Sequence, residues 1–385
     1  MSDSSAMDAL ILSCGTGGGH NAAARAVRDE LLRRGHHVQM LDPYTLAGNG
    51  LDQLINQSYI KLVRHAPWAF GFLYSLGELY RHLPLRSPVY HLNGRMTEAL
   101  LSLLQNHHFD IIVMSHIFPG EILTYMKQHG TPLPPTVLIA TDYTCIPFTE
   151  EVDSDYYIIP TTDLQQEFSR YGIPESRIYP LGIPVGDCFS HPVSRLEARR
   201  KLGLDEDKTY LLLSGGSMGA GSLVRSVKLL CRHFQNRPDV RLIVVCGSNR
   251  RLYDKLKAQY GNHITVLLHT DQMADYMQAC DIVISKPGGL SSTEAAVCNT
   301  PLIHISPIPG CESRNISYFS SHGMSLAVRS CRRQLIPAVE QLLIPDNANL
   351  LMHHQHTTLP PQATCRICDL IESAANTPSF QEELS

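Results

Sequence analysis

Short apolar runs recur along the chain, separated by longer stretches whose apolar residues fall at helical spacing. ALIL at positions 9 to 12 is followed by a glycine turn and then by AAARAVRDELLRRG, which has the period of an amphipathic helix. HHVQMLD, FDIIVMS, PTVLIATD and DYYIIP read as further strands, carrying β-branched residues between turn formers. A long helical stretch follows HHVQMLD, and GEILTYMKQHG reads as a helix stopping on Gly130. Alternation of this kind predicts an α/β fold, a mostly parallel sheet with helices on both faces.

The pattern breaks at YGIPESRIYPLGIPVGDCF, rich in proline and glycine, and then restarts. TYLLLSGGSMGAGSLV again spells strand, glycine loop and helix, and RLIVVCG, HITVLLH, DIVISKPGG and TPLIHISP follow as strands. A chain of 385 residues exceeds what one core usually supports. The boundary is expected near residues 184 to 195. Two Rossmann-like, doubly wound domains result, 1–187 and 188–385, the C-terminal helix being a candidate to pack back on the first. A ligand cleft is expected at the carboxyl ends of the strands.

Composition narrows the function. Net charge is −4 and apolar content 43%, which argues against disorder and against nucleic-acid binding by bulk positive charge. No apolar run reaches the ~18–20 residues of a membrane span. MSDSSAMDA lacks the basic start and apolar core of a signal peptide, so a cytoplasmic location is expected. The eleven cysteines are scattered and odd in number, as free thiols in a reducing compartment would be. Cys365 and Cys368 make the one close pair, and with His353, His354 and His356 nearby they match no zinc-site spacing. No metal is expected there.

Three glycine-rich segments carry the candidate chemistry. In CGTGGGHNAA (14 to 23), Gly17, Gly18 and Gly19 can take backbone angles that a Cβ disfavours, and His20 stands at the start of a helix. The segment is neither G-x-G-x-x-G nor a P-loop. In SGGSMGAG (214 to 221), Gly215, Gly216 and Gly219 let backbone amides approach an anion, and the Ser217 hydroxyl can donate as well. In DIVISKPGGLSSTEAAVCNTP, Pro287, Gly288 and Gly289 form the turn, and Ser291 or Ser292 can cap the helix carrying Glu294. A pyrophosphate on two helix N-termini needs no metal to neutralise it, and Glu294 could accept from a ribose hydroxyl pair. The plain alternative is a pair of ordinary turns, with S-S-T-E as a capping box.

SKPGGLSSTEA followed by PLIHISPIPGCESRN resembles the donor site of the monogalactosyldiacylglycerol synthase and processive diacylglycerol glycosyltransferase family, itself similar to the lipid II N-acetylglucosaminyltransferase. GTGGGHNAAARAV, LINQSYIKLVRHAPWAFGFLY, ATDYTCIPF and GIPV agree in order, so the likeness spans residues 8 to 350. It implies a GT-B glycosyltransferase that moves a hexose from a UDP-sugar to diacylglycerol, inverts the anomeric centre and needs no cofactor or catalytic metal. The resemblance places Ser217 and its loop at the nucleotide phosphates and Thr270, Gln272 and Met273 beside the uracil. Gly288, Gly289, Leu290 and Ser291 then frame the diphosphate, with Glu294 on the ribose and Glu312 and Asn315 near the sugar. Where the family reads P-G-Q-E-x-x-N, this chain has PGCESRN, and Cys311 cannot reproduce a glutamine amide's two-way hydrogen bonding.

In that setting Gly18 and Gly19 give clearance to the acceptor, and His20 is the candidate general base, imidazole having an ordinary pKa of ~6.5. Asp142 is the alternative base or an orienting partner. Lys61, Arg64, Arg81, Arg86 and Arg95 stand against the single carboxylate Glu78, interleaved with Trp68, Phe70, Phe72, Tyr74, Tyr80 and Tyr90. This predicts a patch for anionic lipid headgroups on the inner face of the cell membrane, with Arg64 and His65 on a lipid phosphate and Pro67 and Trp68 beside the acceptor. The alternatives are a polyprenyl-diphosphate-linked acceptor, or a nucleotide-sugar sensor without turnover. Oligomeric state is left open.

Overall fold

The first apolar run forms β1 (Asp8–Leu12), flanked in one sheet by β2 (His37–Leu41), β3 (Ile111–Met114), β4 (Thr136–Ile139), β5 (Tyr156–Ile158) and β6 (Ile178–Tyr179). This computed structural model describes residues 6–15, 18–46, 57, 61–62, 66–83, 85–219 and 221–376. The strand order is β2-β1-β3-β4-β5-β6 and every neighbouring pair is parallel. Leu10 lies opposite Gln39 on one side and Ile112 on the other. All four residues of β3 and of β4 are buried, which only a sheet covered on both faces permits.

Two units divide the described residues. One takes those of Met1–Lys61, Ala69–Gly186 and Pro360–Ser385, the other those of Leu62–Trp68 and Asp187–Leu359.

In the first unit, helix Gly18–Arg33 buries Ala23, Ala24, Val27 and Leu31 along one face. The last described helix, Ala363–Ala375, adds Ile367, Cys368, Ile371 and Ala374 to the same core. Each fully buried isoleucine is worth about 1.5–3 kcal/mol. Arg34 ties the two helices together, reaching Asp369 at 2.7 Å, Glu372 at 3.1 Å and the Cys365 carbonyl at 3.0 Å. The CRIC segment therefore serves packing: Cys368 is a core residue and burial pushes its thiol pKa up.

Helix Ile117–Gln128 starts three residues before the glycine from which the sequence pattern begins it. The His116 ring accepts the Phe118 N–H at 3.1 Å through Nδ1, acting as the cap, and Pro119 occupies the first turn, where no N–H is required. One turn on, Glu121 is fully buried. The Asn93 amide donates to its Oε2 and the Tyr44 hydroxyl donates to Asn93, while Glu121 Oε1 has no hydrogen-bond partner. Burial raises the Glu121 pKa to about 8.

The second unit repeats the plan with β7 (Thr209–Ser214), β8 (Val240–Val245), β9 (Thr265–Leu267), β10 (Ile282–Ser285), β11 (Leu302–Ile305) and β12 (Leu326–Val328). Their order is β12-β11-β10-β7-β8-β9, again parallel throughout. Leu211, Leu213, Ile282, Ile284 and Ile303 pack with Leu223, Val227 and Leu335 in one core. In each sheet the strand order reverses beside the unit's first strand, between β1 and β3 and between β7 and β10. Open α/β sheets bind ligands at such reversals, outside the carboxyl ends of the strands.

Candidate functional site

The reversal in the first sheet is where His20 sits. Gly18 and Gly19 belong to the first turn of helix Gly18–Arg33. Their backbone is thus right-handed helical, and the freedom expected of them as loop residues is not used; Gly17 lies outside the described residues. Ser115, just after β3, donates through its hydroxyl to Ser13 Oγ at 3.0 Å, and Ser13 donates to Asn21 Oδ1 at 2.6 Å. These buried contacts pin the helix start between β1 and β3.

His20 Nδ1 lies 2.9 Å from the Ser115 carbonyl oxygen. A carbonyl can only accept, so the proton belongs to Nδ1 and the ring's lone pair is on Nε2. The Thr141 hydroxyl oxygen, 2.8 Å from the same nitrogen, shares that N–H. Burial lowers the His20 pKa, opposed by the Asp142 carboxylate and the Ser115 carbonyl. The His116 ring meets His20 edge-on at 4.5 Å, and burial together with His20 holds His116 well below the ordinary value. Two neutral imidazoles at neutral pH follow. A cavity of about 20 Å³, one water's worth, opens among His20, Ser115, Thr141, Asp142 and Thr144. The structure thus brings the predicted His20 and Asp142 together and adds Ser115, Thr141 and His116.

At the reversal in the second sheet lie both remaining glycine segments. Gly216 and Gly219 have φ of +67° and +58°, and a Cβ on Gly219 would fall 2.0 Å from the Cys246 carbonyl oxygen. That loop is stitched to the turn after β8 by Ser248 N–H to the Ser217 carbonyl at 2.8 Å and by the Asn249 amide to the Gly219 carbonyl at 3.0 Å. Gly215 is buried and Ser217 is exposed. Thr270 Oγ1 accepts the Gln272 N–H at 3.1 Å, just before helix Met273–Ala279, whose first residue is half-buried.

Helix Gly289–Val297 begins with Gly288 as its cap residue, and no side chain caps it. The expectation that Ser291 or Ser292 caps this helix is therefore corrected: the helix starts earlier. Ser292 turns into the core, its hydroxyl 2.9 Å from His304 Nε2, while Ser325 meets Nδ1 at 2.9 Å. Burial lowers the His304 pKa to about 3. The first-turn amides of Gly289, Leu290 and Ser291 have no helical acceptor and carry the positive end of the helix dipole. Glu294 is half-buried one turn further on.

Glu312 and Asn315 both face the turn at 286–288. Asn315 is fully buried and its amide donates to the Pro287 carbonyl at 3.0 Å. Glu312 Oε2 accepts the Ile308 N–H at 2.8 Å, and Oε1 is ion-paired with Lys286 Nζ. Lys286 was missed in the sequence pattern, although SKPGG displays one cation between a strand and a phosphate-type turn. A Cβ on Gly216 would lie 2.7 Å from Lys286 Cε, so this side chain touches the neighbouring glycine loop as well.

The aromatic segment from which lipid contact is expected forms helix Pro67–Tyr80. Pro67 is exposed, and Trp68, Phe72 and Leu79 are 74%, 61% and 69% exposed, with Leu73 and Leu76 also open. No helix among the described residues is long and apolar enough to cross a membrane. The basic cluster is smaller than the sequence suggests. Arg81 is buried, paired with Glu150 at 2.7 Å and stacked 3.4 Å over the Tyr171 ring, and Arg86 donates to the Glu151 carbonyl at 2.7 Å. Arg64 and His65 lie outside the described residues.

Residues 20–185 match the family described as monogalactosyldiacylglycerol (MGDG) synthase, and residues 210–360 match the glycosyltransferase family 28 C-terminal domain. The processive diacylglycerol beta-glucosyltransferase of Bacillus pumilus is 26% identical over 339 residues, covering 87% of this chain and 86% of the relative. Among solved structures, MurG of Acinetobacter baumannii aligns with a TM-score of 0.61 at 15% identity, covering 95% of this chain and 99% of that one. Anabaena Alr3699/HepE, solved in complex with UDP and glucose, aligns with a TM-score of 0.57 at 14% identity over 95% of this chain and 100% of that one. At those identities the structural likeness speaks for the fold alone, and the fold is GT-B. The two matches together fill most of its length, and the chain is a glycosyltransferase built from an MGDG synthase domain followed by a glycosyltransferase family 28 C-terminal domain.

Proposed function

We propose that this glycosyltransferase moves a hexose from a UDP-sugar to diacylglycerol, with inversion and without a catalytic metal, at an anionic membrane surface. The observation that carries the reading is the Nδ1–H of His20 committed to the Ser115 carbonyl, which presents Nε2 as a base. Nε2 takes the proton of the diacylglycerol hydroxyl as that oxygen attacks the anomeric carbon. The glycosidic bond to UDP breaks on the opposite side, so one displacement inverts the centre. Negative charge grows on the departing diphosphate, where the first-turn amides of helix Gly289–Val297 and the loop of Gly216 and Ser217 supply donors. Donors supplied by the protein itself, in the helix N-terminus and the glycine loop, support a reaction that asks nothing of a metal ion.

The exposed stripe of Trp68, Phe72, Leu76 and Leu79 supports contact with lipid, and the remaining exposed cations Lys61 and Arg95 support a preference for anionic headgroups. Relatives named as glucosyltransferases make glucose the sugar we propose. The test offers the pure protein UDP-glucose, UDP-galactose and UDP-N-acetylglucosamine together, on vesicles of diacylglycerol and phosphatidylglycerol, and reads the lipid by mass spectrometry. Glucosyl-diacylglycerol is the expected product. Absence of any glycosylated diacylglycerol from a protein that binds UDP overturns the acceptor assignment.

A further inference from the structure

The ion pair of Lys286 and Glu312 stands beside the two glycine segments proposed above to hold the donor diphosphate, and its two members are suited to different parts of the donor. Their side chains are only 13% and 7% exposed. Lys286 touches both glycine segments: its Cε lies 2.7 Å from where a Cβ of Gly216 would stand, and its own carbonyl accepts the Gly288 N–H at 2.9 Å. Glu312 Oε1 is 3.9 Å from the same position on Gly288. Gly216 leaves the space that the Lys286 side chain uses, whereas a Cβ on Gly288 would make only an ordinary contact with Glu312.

Such a pair is a poor resting partner for a diphosphate. A helix N-terminus offers about half a charge, whereas an ammonium offers a whole one. With Lys286 held by Glu312, the site presents that whole charge already neutralised. A buried carboxylate facing an incoming polyanion repels it unless the ammonium comes between them.

We propose that Lys286 changes partner when the donor binds, leaving Glu312 for the diphosphate, and that Glu312 is thereby freed to accept hydrogen bonds from hexose hydroxyls. This rests on the donor reading above and adds to it an order of recognition. Glu312 Oε2 keeps the Ile308 N–H, which holds the carboxylate in place, and Oε1 loses the ammonium and gains room for a hydroxyl donor. An ionised carboxylate is acceptor-only, which fits it to sugar O–H groups and not to phosphate. Sugar recognition then becomes available only with the diphosphate seated, so the hexose is selected as part of a UDP-sugar and not as a free sugar.

The test is calorimetric titration of the full-length chain with uridine, UDP and UDP-glucose, comparing wild type, Glu312→Gln and the double variant Lys286→Gln/Glu312→Gln. Lys286→Gln alone would strand a buried carboxylate, and the double variant avoids this; thermal melts check that each protein is folded. Releasing Lys286 in Glu312→Gln is expected to tighten UDP by about tenfold and to abolish the gain of UDP-glucose over UDP. The double variant is expected to bind UDP about tenfold more weakly than Glu312→Gln, with uridine unchanged in all three. A UDP affinity that moves no more than uridine's in either variant overturns the exchange and leaves the donor reading standing. Failure of wild type to bind UDP overturns both.

Discussion

His20 and Ser115, 95 positions apart, are joined by a 2.9 Å contact between an imidazole nitrogen and a carbonyl oxygen. That contact decides which nitrogen carries the proton and so what the histidine can do. If Nε2 is the base, His20→Ala lowers turnover by about 10²–10⁴. UDP affinity, which the proposal assigns to residues of the second unit, is expected to stay as in wild type. Single-turnover kinetics beside UDP titration separates the two, and unchanged turnover removes His20 from the mechanism.

The pH dependence follows with its sign. The neutral imidazole is the working form, so kcat/KM is lost as pH falls through the His20 pKa and is level above it. Burial lowers that pKa, which puts the acid limb below the ordinary ~6.5. The Asp142 carboxylate opposes the lowering, so Asp142→Asn moves the limb to still lower pH. A limb that moves upward, or does not move, assigns Asp142 some other task.

Glu294 is half-buried one turn into the helix whose open N-terminus is the proposed diphosphate cradle. A carboxylate accepting from two ribose hydroxyls makes charge-assisted hydrogen bonds. Glu294→Ala is therefore expected to cost about 1–3 kcal/mol in UDP binding. The 2′,3′-dideoxy analogue of UDP, which lacks the ribose hydroxyls, gives the control: its affinity is expected to be the same for both proteins. An equal loss for the two ligands places Glu294 elsewhere.

Much of this architecture was written in local pattern, and the parts that were not have a common cause. Strands β1, β3, β7 and β10 are runs of apolar residues ended by turn formers, and a run of four or five buried positions has few other uses. His20 was visible because the glycines before it end a strand and open a helix. What completes its site was not, since Ser115 and Thr141 arrive from 95 and 121 residues away. Lys286 finds Glu312 across 26 positions. Arg81 reads as one cation of a basic patch because its partner Glu150 lies 69 positions further along the chain. Helix Ile117–Gln128 starts earlier than its pattern suggests, since its cap is a histidine, outside the usual Ser, Thr, Asp and Asn. Periodicity reports which face of an element is buried, and says nothing about which polar groups another element will deliver to its end.

Helix Pro67–Tyr80 turns its largest apolar side chains outward. Burying such side chains in a bilayer interface is worth on the order of 25 cal/mol per Å². Replacing Trp68 and Phe72 together by serine is expected to reduce co-sedimentation with phosphatidylglycerol vesicles by at least about tenfold, because two aromatic rings of ~150–250 Å² each are withdrawn. Turnover of a short-chain, water-dispersed diacylglycerol should survive the same change. Equal loss with both acceptors would mean that the stripe serves the acceptor site itself and not the membrane.

Glu121 is a buried carboxyl whose Oε1 lacks a hydrogen-bond partner. Its pKa rises from an ordinary 4.5 to about 8 in the folded chain, burial being the cause. The folded state thus binds a proton more tightly than the unfolded one. Stability from this group is complete below pH ~4.5 and is lost progressively as pH rises to about 8. Other carboxylates, such as Asp155 with its lowered pKa, act in the opposite sense and below this window. Glu121→Gln keeps an oxygen to accept from Asn93 and removes the titration. The variant's melting temperature should overtake wild type between pH 6 and pH 8, the gap widening by a few kcal/mol in the equivalent free energy. A gap independent of pH would show that Glu121 holds the same charge in both states, and the orphaned Oε1 would then be the oxygen of an ion stabilised by the Asn93 amide and by Arg86, which lowers its pKa from nearby.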